Sequence, residues 1–290
     1  VVLRALIAIV ALSLAALALV WVGVHRALRP LQKLERDLSL REPTQWVSVI
    51  DRATLEAFGL TNANQALELA TGIQVESVET DRAYYTARGF DITNFQRDGL
   101  GLPMPYGLQN GDIDTAIFER IEILRGANGL MSSTGNPSAT INFIRKRPTN
   151  ELQANAALTL GSWNTVRVDA DVSGGIPNEG AVRGRAVVPV EQGDRFLALY
   201  FTDKQVYYGI LEADLGEATM VAIGASYQRN RPEGVLWGAL PLFYGDGTPT
   251  DYDVSTSTAT GWSHWDTDDT GAFTQLQHDF GNGGEAKGCV

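Results

Sequence analysis

The side chains that could do covalent or metal chemistry are few and scattered. His25, His264 and His278 are the three histidines, and none has a nucleophile or a second ligand at a useful spacing. No G-x-S-x-G elbow and no P-loop occurs. Cys289 is the single cysteine, so the chain can build neither a disulfide nor a multi-thiolate metal site. Asp266-Thr-Asp268-Asp269 opens like a calcium loop, but Gln277 stands where its closing Glu is expected. No enzyme, resident cofactor or protein-held metal is therefore expected. What remains is aromatic: Val235-Leu-Trp237-Gly-Ala-Leu-Pro-Leu-Phe243-Tyr244 and Gly261-Trp262-Ser-His264-Trp265-Asp266. Such rings, apolar on the face and polar at one edge, serve either a ligand vestibule or a barrel girdle.

The elements that carry these residues fall into three stretches. Residues 1–46 hold six basic and three acidic side chains, while the whole chain of 290 residues carries a formal charge of −11. An acidic balance of this kind lacks the clustered Lys and Arg of a nucleic-acid footprint. Ala5 to Val24 is a run without charge, long enough to span roughly 30 Å of hydrocarbon as a helix. No A-x-A cleavage site follows it, so it reads as a retained transmembrane helix; an uncut signal is the competing reading. Arg26, Arg29, Lys33 and Arg36 would place its far end in the cytoplasm. Leu28, Leu31, Leu34 and Leu38 then mark one face of an amphipathic linker helix.

Residues 47–149 read as a compact α/β unit. Asp51 is a helix N-cap for Arg52–Phe58, closed by Gly59, and a second helix is expected over Asn62–Ala70, closed by Gly72. Ile73–Val78 alternates as a strand, Asp98-Gly99 is a turn, Thr115–Phe118 looks helical, and Glu119–Leu124 alternates again. From residue 150 to 290 the pattern becomes period-two runs of about ten residues, the pattern of membrane barrel strands. Thr165–Val172 alternates without error, with Val166, Val168, Ala170 and Val172 on one face and Arg167, Asp169 and Asp171 on the other. With Leu152–Leu160, Ala181–Val190, Tyr207–Leu215, Thr219–Gln228 and Gly271–Phe280 this makes about six strands. Alternation alone leaves a soluble β-sandwich open. Gly281–Val290 does not read as a further strand.

Four motifs in order, Ala87-Arg-Gly-Phe90, Asp98-Gly99, Phe118-Glu-Arg-Ile-Glu-Ile-Leu-Arg-Gly-Ala-Asn-Gly-Leu-Met131 and Gly135-Asn-Pro-Ser-Ala-Thr-Ile-Asn-Phe-Ile-Arg-Lys-Arg-Pro148, resemble the plug domain of TonB-dependent outer-membrane siderophore receptors. With the GSWN that follows at 161–164, the form is closest to receptors for coprogen and rhodotorulic acid. The resemblance implies an α+β plug followed by antiparallel transmembrane β-barrel strands, preceded here by the transmembrane helix. It implies an outer-membrane protein that binds a ferric siderophore, with the iron held wholly by the siderophore, and is driven by a TonB-type energy transducer. Within that pattern Arg88 and Arg125 would pair with glutamates on the inner barrel wall, with Gly89 and Gly126 fixing their turns. The apical loop Leu100–Asn110 would offer Met104, Tyr106 and Gln109 to the ligand from below, and Trp237, Trp262 and Trp265 would line the wall above.

Two departures accompany the match. Barrels of this family close about 22 strands, and a sheet edge left open in lipid is unfavourable; the chain is thus expected to be a fragment or chimera unable to transport alone. RALRPLQKLERDLSLREP, after the apolar run, resembles the transmembrane segment and linker of a sensor histidine kinase, and it stands where a TonB box should be. A membrane-anchored sensor fragment is the alternative reading.

Overall fold

The computed structural model describes residues 47–126, 137–175, 182–281 and 285–289. The helix expected over Ala5–Val24 and the rest of residues 1–46 lie outside these, as does the glycine turn beyond Gly126. Among the described residues no helix is long and apolar enough to cross a membrane.

The α/β unit begins with β1 (Val47–Asp51), α1 (Arg52–Ala57) and α2 (Ala63–Glu68). Both helices are capped as their sequences demand: Asp51 accepts from the Thr54 amide at 2.9 Å, and Asn62 from the Gln65 amide at 2.9 Å. Short strands follow: β2 (Ile73–Ser77), β3 (Arg82–Ala87), β4 (Phe90–Asp91), β5 (Asn94–Arg97), β6 (Leu100–Gly101) and β7 (Gln109–Asn110). At Asp98 and Gly99, φ is 52° and 83°, the doubly left-handed turn that joins β5 to β6. Two longer strands, β8 (Phe118–Arg125) and β9 (Ala139–Arg145), complete a sheet ordered β1-β8-β9-β5-β6; β2, β3 and β4 form a second sheet, with β7 on β3.

The helix expected at Thr115–Phe118 is instead a turn, closed by the Phe118 amide on the Thr115 carbonyl at 3.0 Å. Strand β8 starts there with a register shift between Phe118 and Arg120. The extra residue lets Phe118 and Ile121, three apart, both face inward. With Ile123, Ile141, Phe143, Phe95 and Tyr85 they form the centre of the core.

Seven consecutive antiparallel strands make the remaining sheet: β10 (Gln153–Leu160), β11 (Val166–Gly175), β12 (Val182–Asp194), β13 (Phe201–Asp214), β14 (Thr219–Asn230), β15 (Thr267–Asp279) and β16 (Glu285–Cys289). The alternation of β11 is as expected, with Arg167 buried and Val168 and Val172 each 48% exposed. Tyr207, Leu211 and Ile223 continue that outward apolar face, which suits a lipid-facing wall. Three boundaries correct the sequence reading. Strand β13 starts at Phe201, not Tyr207, because Thr202 and Lys204 face the α/β unit and break the apolar pattern there. Strand β15 starts at Thr267, before the expected Gly271, and β16 pairs with β15 in a segment with no alternation to read.

The α/β unit lies against the inner face of this sheet. Val187, Val206, Tyr208, Ile210, Ala222 and Phe273 join its core cluster. Where the strand connections are short, Lys146 meets Asp171 at 2.8 Å, Arg147 meets Glu212 at 2.5 Å, and the Tyr208 hydroxyl donates to the Lys146 carbonyl at 2.8 Å.

Candidate functional site

At the other end, where β14 and β15 are joined by the long connection 231–266, the two tryptophan-rich segments are brought side by side. The Gly234 amide donates to the Ser263 carbonyl at 2.8 Å, and the Ser263 hydroxyl to the Val235 carbonyl at 3.0 Å. Trp237 and Trp265 therefore stack, with centroids 4.9 Å apart and planes 15° from parallel. The turn between β2 and β3 completes the group from the plug side. The Arg82 guanidinium lies 4.4 Å from the Trp237 centroid and 5.4 Å from that of Trp265, and its Nε donates to Glu79 at 2.5 Å. Trp237 remains 69% exposed, so the group opens outward.

Arg82 carried no signal in the sequence, since nothing local marks an arginine that will meet two rings more than 150 residues away. Of the other expected ligand residues, Trp262 and Tyr106 are almost fully exposed, and Tyr106 has φ of 59°. Met104 is half-buried against the core. Gln109 departs from its expected role: it is buried, bonded to the Tyr85 hydroxyl and donating to the Gly111 carbonyl at 2.9 Å, so its amide holds the loop and is not offered outward. Arg88 and Gly89 form the left-handed turn between β3 and β4, at φ of 58° and 79°. Arg125 was expected to reach a wall glutamate. Its described partner is the Ser48 hydroxyl of β1, at 2.8 Å, and its Nε and Nη2 are buried without a hydrogen bond among the described residues. Burial, and then the neighbouring Arg88, push its pKa down. Gly126 ends β8, its amide on the Ser138 carbonyl at 3.1 Å.

A buried ionic cluster makes a further polar contact between plug and wall. Asp114, fully buried, takes a two-pronged contact from Arg167 at 2.7 and 3.0 Å and lies 2.9 Å from Lys204. Lys204 also meets Asp112 at 2.7 Å, and Arg167 reaches Glu191 at 3.0 Å. The two plug carboxylates are tuned oppositely. Burial pushes Asp114 up, but Lys204 and Arg167 outweigh it and hold the group well below the usual carboxylate range. For Asp112 burial wins over Lys204, and its pKa is raised. Beside the cluster a polar cavity of about 150 Å³ is lined by plug residues Asn62, Asn64, Asp81 and Asp112 and by wall residues Arg195 and Tyr200. Sequence reading placed Arg167, Asp169 and Asp171 on the inner face but not against a partner; Asp112-Ile-Asp114, two carboxylates at strand spacing, was the unused signal.

Residues 39–140 match the family model described as the TonB-dependent receptor plug domain. The chain is 41% identical to the ferripyoverdine receptor of Pseudomonas aeruginosa over 85% of its own length and 31% of that protein's. It is 38% identical to the ferric-pyoverdine BN7/BN8 receptor of Pseudomonas putida over 87% of its length and 31% of the relative's. The crystal structure of the P. aeruginosa receptor bound to ferripyoverdine superposes with a TM-score of 0.81 at 40% identity, covering 86% of this chain and 34% of that one. The alcaligin outer-membrane receptor of Bordetella pertussis gives a TM-score of 0.69 at 37% identity, covering 86% and 39%. The chain thus spans about a third of the length of the curated relatives it matches. Those relatives are named for ferripyoverdine, so the narrower resemblance to coprogen and rhodotorulic acid receptors is not carried forward. The plug seated on an antiparallel sheet, and the match of both to these receptors, place the chain in the TonB-dependent receptor family.

Proposed function

We propose that the chain serves an outer-membrane receptor that takes up a ferric siderophore, with residues 47–149 as plug and 150–290 as barrel wall. A TonB-type transducer would move the plug. The observation that carries this reading is the Arg82, Trp237 and Trp265 group, built jointly by plug and wall. Two flat rings and a guanidinium suit an iron complex with a planar apolar periphery and oxygen acceptors. Trp262, Tyr106 and Met104 lie on the approach to the ligand, and the siderophore supplies every ligand to iron. The pyoverdine receptors among the relatives name the first compound to try.

The test is titration of the full chain with ferripyoverdine, followed by quenching of tryptophan fluorescence. Trp237→Ala, Trp265→Ala and Arg82→Ala each weaken binding about tenfold or more, as central aromatic and arginine contacts do. Affinities unchanged in all three variants would overturn the assignment.

A further inference from the structure

Geometry at the mouth depends on four consecutive residues, Glu79 to Arg82, at the end of the β2–β3 turn and the start of β3. Glu79 is buried, with its side chain wholly shielded, and it binds Arg82 through Nε, the one guanidinium nitrogen that is not at the outer edge. Among the described residues the Nη atoms of Arg82 make no hydrogen bond, so the outer edge of the fork stays free while its plane is held against the rings. The second oxygen of Glu79 is buried without a partner. A residue kept only for packing would not carry that unfavourable arrangement.

Thr80 does for the wall what Glu79 does for the plug. Its hydroxyl accepts from the Leu236 amide at 3.2 Å, one residue before Trp237, while donating to Asp81 at 2.6 Å. Asp81 in turn accepts from the Tyr200 hydroxyl at 3.3 Å, and its carbonyl accepts from the Gly111 amide at 2.8 Å. The turn therefore grips the connection that carries Trp237, the connection that carries Tyr200, and the plug loop above the ionic cluster.

We propose that Glu79 and Thr80 are positioning residues of the mouth: Glu79 sets the plane of Arg82, and Thr80 sets the place of Trp237 against Trp265. This rests on the ligand assignment above only for its consequence on binding. The positioning itself is readable without ligand, because two indoles stacked in a fixed geometry give an exciton couplet in circular dichroism.

The experiment compares Glu79→Gln and Thr80→Val in the full chain, each first checked for a urea midpoint equal to the parent's. Thr80→Val, which keeps the shape and removes the hydroxyl, reduces the couplet by half or more. Glu79→Gln weakens ferripyoverdine binding about tenfold, and combining it with Arg82→Ala adds nothing to Arg82→Ala alone. If either variant lowers the urea midpoint, Thr80→Ser, which retains the hydroxyl, restores the couplet where positioning is the cause. Parental couplet and parental affinity in both variants would overturn the proposal. If Arg82→Ala and Trp237→Ala leave affinity unchanged while Thr80→Val still loses the couplet, the ligand assignment fails and the positioning role stands.

Discussion

Replacing Asp114 by Asn removes one charge from the centre of the contact between plug and wall and leaves its shape. Asp114 is completely buried and holds both Arg167 and Lys204. Removing one member of a buried pair costs about 3–5 kcal/mol, mostly as the penalty on the charge left behind. Here Arg167 keeps Asp169 at 2.7 Å and Glu191 at 3.0 Å, and Lys204 keeps Asp112 at 2.7 Å, so the lower end, about 3 kcal/mol, is expected. With a urea m-value of about 3 kcal/mol/M, the midpoint for plug release falls by about 1 M. Hydrogen exchange at Ile121 and Ile141 amides reads it, since both lie in the buried β8–β9 pair. The pH dependence has a definite sign. The folded pKa of Asp114 is depressed, so its stabilisation is present above the unfolded value near 4 and disappears as pH falls through the lower folded value. Asp112 is raised, so its part runs the other way: it favours the folded state below the unfolded value and is lost as pH rises through the folded one. Asp112→Asn should therefore cost less than about 1 kcal/mol at neutral pH, because burial already disfavours that charge. Equal losses in Asp112→Asn and Asp114→Asn, or an Asp114→Asn midpoint within error of the parent's, would refute this account of the cluster.

Further outcomes follow from the same packing. Gly111 has φ of +71°, and a Cβ there would meet the Thr267 hydroxyl and, at 2.8 Å, Asn230; Gly111→Ala should push the plug loop off the wall, costing about 1–3 kcal/mol by urea titration and weakening ferripyoverdine binding with it. Ile223, 57% exposed on the outward face of β14, should tolerate Leu but not Arg; Ile223→Arg is expected to cost about 2–4 kcal/mol when folding is followed in lipid vesicles, and a loss below about 0.5 kcal/mol would argue against a lipid-facing wall.

Much of this architecture was legible locally. The cap at Asp51, the Asp98-Gly99 turn and the error-free alternation of β11 are properties of short segments, and each became what its residues dictate. The plug motifs were legible through their resemblance to a known family. The misreadings sit where a distant partner overrides local pattern. Thr115–Phe118 read as a helix where the fold closes a turn into the irregular start of β8. The start of β13 was lost because Lys204 is satisfied by plug carboxylates about ninety residues earlier. Gln109 read as a free amide until the fold enclosed it against Tyr85.

Sequence alone determined the strand and turn types, which face of the wall points outward, and the two tryptophan connections, because these depend on side-chain period and backbone preference within a few residues. Only the tertiary structure decided that Arg82 closes on Trp237 and Trp265, that Glu79 and Thr80 hold them, and that Asp114 secures plug to wall. Charges and rings far apart in sequence acquire meaning only when burial strips away the water that would otherwise satisfy each of them separately.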